Sequence, residues 1–170
     1  MKINNQIFES KESFGFTIGH VMIDRSFEID WLLEANLFES EIRPVFVKES
    51  LINKDEKHGY LKGLFCSDKL SDSDFKFIHE NGIYYYLEDF SESEEEWGDD
   101  KYAFKSLLKI FKQKTEDSLG GCYLINKEWF SEKSGKVRNR EYSLYDFYFI
   151  IIWIDKNDNG KLYLSEWFSD

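Results

Sequence analysis

The chain has 170 residues, with 33 acidic side chains against 22 lysines and arginines and a formal net charge of −11. Hydrophobic residues make up 42% of the chain and aromatic residues 18%. This composition excludes disorder of the whole chain and predicts one core, so we expect a single domain over residues 1–170. The charge excludes a cationic nucleic-acid binder, because tracking phosphates needs an excess of lysine and arginine. A partner attracted by long-range charge should be basic.

The apolar runs and the cysteines indicate a compartment. Residues 1–12 contain no apolar stretch of signal-peptide length, and the longest apolar run, residues 147–154, is far shorter than the ~20 residues that span a bilayer. Cys66 and Cys122 lie in separate apolar stretches, which suits free thiols in a reducing environment. We therefore expect a cytoplasmic protein that binds neither a membrane nor nucleic acid.

The first predicted elements are mostly strands. Phe14, Phe16 and Ile18 alternate with small or polar residues, which is the period of a half-buried strand. Asp30 favours the start of a short helix over 30–38, with a continuing strand as the alternative. Later predictions, in chain order, are an edge strand over 42–47 that contains Pro44, a polar loop over 51–59 and a strand over 60–66.

The middle of the chain is predicted as a short helix and then a strand. Residues 71–74 resemble a helix start, and Asn81 with Gly82 resembles a left-handed helix end. The aromatic and β-branched residues 83–87 follow directly. They predict a strand.

The clearest element is a helix over about residues 99–114. Its apolar residues fall at positions i, i+3, i+4 and i+7, namely Phe104, Leu107, Leu108 and Phe111. Another side carries the lysines Lys101, Lys105, Lys109 and Lys112. This one-sided pattern predicts that the apolar side packs into the core.

The last third of the chain is predicted to be rich in strands, at 122–125, 142–154 and 161–168. Strands and helices do not alternate regularly, and no glycine-rich phosphate loop is present. The predicted fold class is α+β: a single domain with a mostly antiparallel sheet, packed with two or three helices, and a C-terminal β-hairpin.

One segment fits the calcium-loop pattern Asp-x-(Asp/Asn)-x-(Asp/Asn)-Gly-x5-Glu in full. The candidate calcium ligands are Asp155, Asn157, Asn159 and Glu166. The context differs from an EF-hand, because β-branched and aromatic residues precede the segment and only four residues follow Glu166. We favour a β-hairpin turn around Asn159 and Gly160, and a calcium-binding module is the alternative.

An acidic run is the candidate partner-binding segment. Residues 88–100 contain eight carboxylates, no basic residue and the aromatic residues Phe90 and Trp97. Helix capping accounts for two or three carboxylates, and the others fit either a solvated loop or a cationic partner with an aromatic anchor. The candidate binding residues are Glu88, Asp89, Phe90, Glu92, Glu94, Glu95, Glu96, Trp97, Asp99 and Asp100.

The sequence contains no complete catalytic motif. His20, His58 and His79 lack a metal-ligand spacing, no Gly-x-Ser-x-Gly motif occurs, and neither cysteine lies in a nucleophile signature. We expect a protein that is not an enzyme and needs no cofactor.

As a type, the chain resembles the bacterial immunity proteins that accompany polymorphic or contact-dependent toxins. It shares with them an acidic, aromatic-rich single domain without catalytic residues. Residues 70–82 also resemble the Leu-Pro…Phe-Leu…Asn-Gly helix of the Smi1/Knr4-like immunity superfamily. They depart from it because Ser71 replaces the proline and the segment lies mid-chain, so we do not assign this superfamily. The resemblance implies stoichiometric occlusion of a basic toxin, such as a nuclease.

Charge alone also fits a nucleic-acid mimic that inhibits a DNA- or RNA-binding enzyme. A mimic should spread carboxylates at phosphate-like intervals, whereas here they are concentrated in residues 88–100. We therefore place this hypothesis second and the calcium-binding module third. The sequence does not indicate an oligomeric state.

Overall fold

The computed structural model describes residues 3–9, 14–23, 26–30, 64–93, 100–137 and 146–169. Asp30, where we predicted a helix to begin, is helical, but the rest of that helix over 31–38 lies outside these residues. The edge strand with Pro44, the loop over 51–59 and most of the strand over 60–66 also lie outside them. In the part of the chain that the structure describes, no helix combines the length and the apolar character of a membrane span.

A six-stranded antiparallel sheet organises the described residues, in the spatial order β1-β2-β6-β5-β4-β3. The strands are β1 (Ile3–Glu9), β2 (Phe14–Met22), β3 (Lys76–Ile78), β4 (Cys122–Asn126), β5 (Phe147–Asp155) and β6 (Asp158–Ser169). Within the described residues, two helices accompany the sheet, α1 (Gly82–Ser93) and α2 (Asp100–Thr115). The predicted α+β class with a C-terminal β-hairpin, β5 and β6, is confirmed.

Strand β5 is buried on both faces of the sheet. Alternate residues belong to the core beneath the helices, namely Phe147, Phe149, Ile151 and Trp153. The residues between them belong to a second core on the opposite face, namely Tyr148, Ile150 and Ile152. A strand covered on both sides needs apolar residues at both parities, which explains the unbroken apolar run in the sequence.

The helices cover one face of the sheet with their apolar sides. The predicted core stripe of α2 is confirmed, because Phe104, Leu107, Leu108 and Phe111 are all buried. Rings of the sheet contact this stripe: Phe16 and Trp167 each meet Phe111 edge-on, at 5.5 Å and 5.2 Å between ring centroids. The hydroxyls of Tyr84 in α1 and Thr115 in α2 are hydrogen-bonded at 2.7 Å, which ties the two helices together.

The strand predicted over 83–87 is wrong, because these residues lie in α1. A helix places Ile83, Tyr84 and Leu87 on one buried side and leaves Tyr85 in solvent, whereas a strand would split the same residues between two faces. Packing against the sheet therefore overrides the β-propensity of this aromatic stretch.

The short helix predicted over 71–82 is also wrong. The backbone N–H of Ser71 donates to Asp74 Oδ2 at 2.9 Å and closes a single 3-10 turn, after which the chain enters β3. Gly82 begins α1 instead of ending a helix, and a Cβ at this position would lie 2.7 Å from Ile78 Cγ2. Glycine fits this position because it has no Cβ to collide with Ile78.

Candidate functional site

The acidic run begins on α1. Glu88, Asp89 and Glu92 lie on its outer side, and Asp100 is the first residue of α2. Five candidate residues lie outside the described part of the chain, namely Glu94, Glu95, Glu96, Trp97 and Asp99. The structure thus brings together the carboxylates of one helix.

Two of these carboxylates bind lysines of α2. Glu92 accepts hydrogen bonds from Lys101 and Lys105, and Glu88 accepts one from Lys112. The hydrogen bonds from the two lysines lower the pKa of Glu92 to about 2, so it is ionised at any physiological pH. Exposed pairs of this kind contribute little stability. Their effect here is to offset two negative charges and to link α1 to α2.

Phe90 packs inward. Its ring lies 5.3 Å from that of Phe147 and 5.7 Å from those of Phe104 and Phe149, measured between centroids. Phe90 is therefore a partly buried member of the core beneath the helices. The exposed aromatic side chain of α1 is therefore a different residue.

Tyr85 and Tyr102 are the exposed aromatic residues of the two helices, at 67% and 75% relative exposure. Tyr85 lies one turn before Asp89 on the outer side of α1. Sequence reasoning missed Tyr85 because residues 83–87 were predicted as a strand. Helical spacing from Ile83 and Leu87 would have placed it on the solvent side.

The candidate calcium segment begins at the turn of the β5–β6 hairpin, and the hairpin that we favoured from the sequence is present. The predicted position of its turn is wrong: Lys156 and Asn157 form the turn, whereas Asn159 and Gly160 lie in β6. Asp155 Oδ1 accepts from the backbone N–H of Asn157 at 2.9 Å, and Asp158 Oδ1 accepts from that of Gly160 at 3.0 Å. The side-chain amide of Asn157 donates to the carbonyl of Asp117 at 2.6 Å. These side chains shape the turn and dock it on the chain that follows α2.

The remaining candidate ligands lie along β6. Asn159 is exposed near its start, whereas Glu166 is buried and accepts a hydrogen bond from the Tyr148 hydroxyl. A calcium loop would wrap Glu166 around the same ion as Asp155, but the structure extends the chain into a strand between them. In the described part of the chain, no three histidine, cysteine or acidic side chains form a group that could hold a metal ion.

The potential catalytic side chains stand apart. Cys122 is buried in β4, and burial raises the pKa of its thiol to about 12, so the thiol stays protonated. Cys66 is partly exposed, and both cysteines are free. His79 is exposed, with its ring 4.7 Å from that of Phe77, and His58 lies outside the described residues.

Comparison of the chain with family models, with curated proteins and with solved structures finds no match in any of the three. A functional hypothesis must therefore come from the residues and their arrangement.

Proposed function

We propose that this chain is an acidic binding protein that neutralises a basic protein partner by stoichiometric occlusion, as immunity proteins do with toxins. The observation that carries the proposal is the outer side of α1. There Tyr85 is two-thirds exposed one turn before Asp89, and the helix leads directly into the acidic residues 94–100. The setting is the cytoplasm of the bacterial cell that produces the toxin.

Charge and aromatic residues have different tasks in such an interface. A net charge of −11 accelerates encounter with a basic surface, because opposite charges steer diffusion. A tyrosine that becomes desolvated in the complex supplies most of the binding energy around itself. Tyr85 is suited to be such an anchor, because its side chain is exposed to solvent on a helix before any partner binds.

The ion pairs between the helices support a prearranged surface. Glu92 with Lys101 and Lys105, and Glu88 with Lys112, connect α1 to α2 at two levels. A surface that is ordered before binding loses less conformational entropy in the complex. The same pairing disfavours a nucleic-acid mimic, because carboxylates neutralised by lysines do not imitate phosphates.

The first test is protection from a toxin. Each open reading frame adjacent to the gene is expressed alone and together with this chain in the same host. We expect one neighbour to encode a basic protein that arrests growth, and co-expression to restore growth through a 1:1 complex measured by native mass spectrometry. A lethal neighbour that remains lethal with this chain, or no lethal neighbour, contradicts the proposal.

The second test measures binding of that toxin to variants. Tyr85→Ala and Trp97→Ala should raise the dissociation rate, since truncating a desolvated anchor costs ~2 kcal/mol or more. Changing Glu94, Glu95 and Glu96 together to glutamine should slow association and flatten its salt dependence. The control is Glu132→Gln, which changes an exposed carboxylate in a 3-10 turn outside α1 and outside residues 94–100. Equal rates for all variants would remove α1 and residues 94–100 from the interface.

A further inference from the structure

A cluster of rings and charges joins β2 to the middle of the sheet. His20 in β2 is paired with Tyr163 in β6, and their ring centroids lie 5.2 Å apart. Tyr163 is stacked in turn on the buried Trp153 of β5, at 4.9 Å with the ring planes 3° apart. His20 is only partly exposed, so its imidazole has lost part of its hydration.

Two charged groups act on His20, one from β6 and one from β5. Lys161 precedes Tyr163 by two residues on β6, and its ammonium lies 5.4 Å from the Tyr163 ring centroid. The buried Asp155 acts from β5, and the uncharged Asn4 stands opposite on β1. Burial is the largest effect and Lys161 the next, and both lower the pKa of His20 below its ordinary value, which Asp155 only partly offsets.

A hydrogen bond to Tyr163 raises the pKa of Lys161, so its ammonium remains charged across the range in which His20 titrates. Protonation of His20 therefore adds a second positive charge to a partly buried position that already holds one. The cluster accommodates the neutral imidazole better than the imidazolium.

The position of His20 in the sheet decides what its protonation disturbs. Within the described residues, β1 and β2 are connected to the other strands only by the pairing of β2 with β6, which we call the β2–β6 joint. One end of this joint is apolar, with Phe16 and Ile18 in the core. The other end holds His20 and continues to Ile23, whose N–H donates to the Gly160 carbonyl at 2.7 Å.

From this arrangement we infer that the His20 end of the β2–β6 joint is an acid-sensitive switch, in which protonation of His20 loosens residues 20–23 from β6. The Phe16 end stays packed, because Phe16 and Ile18 are buried in the core beneath the helices. The folded state prefers neutral His20, so the stability that this site contributes is complete above about pH 6.5 and is lost as the pH falls through the folded-state pKa. The switch requires no partner and is independent of the proposed function.

The test is amide hydrogen exchange by NMR on the intact protein at pH 7.5 and pH 5.0, corrected for intrinsic exchange rates. We expect the protection of the Ile23 amide to be lower at pH 5.0 than at pH 7.5, because the folded state binds the proton on His20 less well than the unfolded state does. Protection in the centre of β5 should fall less. His20→Gln should abolish the acid-dependent loss at Ile23, whereas His79→Gln, at an exposed histidine, should leave it unchanged.

A second measurement does not depend on the fold of any variant. The imidazole of His20 is titrated by NMR in the unchanged protein, and we expect a pKa below the ordinary histidine value of about 6.5. A His20 pKa at or above that value would overturn the inference. So would an acid-dependent loss at Ile23 that persists in His20→Gln.

Discussion

Two polar atoms in the core beneath the helices have no hydrogen-bond partner within the described residues, Ser165 Oγ and Trp167 Nε1. Both residues are completely buried, and they stand two positions apart on β6. A buried polar atom without a partner loses its hydration and gains nothing in return, at about 1–3 kcal/mol. These two atoms are therefore places where the native core is not at its stability optimum.

Replacement of the unpartnered hydroxyl should not harm the fold. Ser165→Ala removes the orphaned oxygen with little change in volume, so we expect the free energy of unfolding to stay the same or to rise by up to ~1 kcal/mol. Urea unfolding measures it.

Ser118→Ala is the matched control, because Ser118 Oγ accepts from Trp153 Nε1 at 3.2 Å and its loss leaves the indole unpartnered. It should cost ~1–3 kcal/mol. A loss above ~1 kcal/mol in Ser165→Ala would show that this hydroxyl is satisfied in solution.

At the scale of the element, α2 should behave as a core helix along its whole apolar stripe. Leu107 and Leu108 are 1% and 4% exposed, so Leu107→Ala or Leu108→Ala should lower the free energy of unfolding by ~2–5 kcal/mol. Ser106→Ala, at an exposed position of the same helix, should change it by less than ~0.5 kcal/mol. Losses below ~1 kcal/mol at both leucines would mark the stripe as a binding face.

The turn of the β5–β6 hairpin should be stabilised by docking and not by an ion. Asn157→Ala removes the hydrogen bond to the Asp117 carbonyl and should lower stability by ~1 kcal/mol. Millimolar calcium should leave the melting temperature of the unchanged protein where it is, because a ligand raises stability only by binding the native state. A rise of several degrees that Asp155→Ala abolishes would restore the calcium interpretation.

The elements that the sequence predicted correctly are those in which burial is one-sided or complete. The apolar stripe of α2 follows the helical period and is buried on one side, and the apolar run of β5 is buried on both faces of the sheet. Residues 83–87 of α1 were predicted incorrectly, because Tyr84 and Tyr85 have the same β-propensity and opposite burial. Strand β1 was not predicted, since its residues Asn4, Asn5 and Gln6 are polar and only pairing with β2 makes them a strand.

The sequence predicted which charged residues the candidate surface contains, but not which carboxylates of α1 pair with which lysines of α2. The acidic run and the lysine side of α2 were both visible, but the contact between Glu92 and Lys105, thirteen residues apart, depends on how the two helices pack. The orientation of Phe90 depends on the same packing. Long-range geometry of this kind leaves no local signal in the sequence.

For the molecule as a whole, stability should decrease from the centre of the sheet to its edges. Strand β5 is covered on both faces and paired on both sides, whereas β3 has three residues at one edge and β1 lies at the other. We expect the slowest amide exchange in β5 and exchange at least about tenfold faster in β1 and β3. Uniform protection across the sheet would indicate that the described residues open only by global unfolding.

The double burial of β5 also affects how the chain reaches its native pairing. A strand that is apolar at both parities still buries apolar side chains after slipping one residue along β6, so hydrophobic burial alone does not select the register. The selection falls to polar contacts, such as the Tyr148 hydroxyl on Glu166 and the docked turn at Asn157. During refolding, we therefore expect hairpins in the wrong register to compete with the native one.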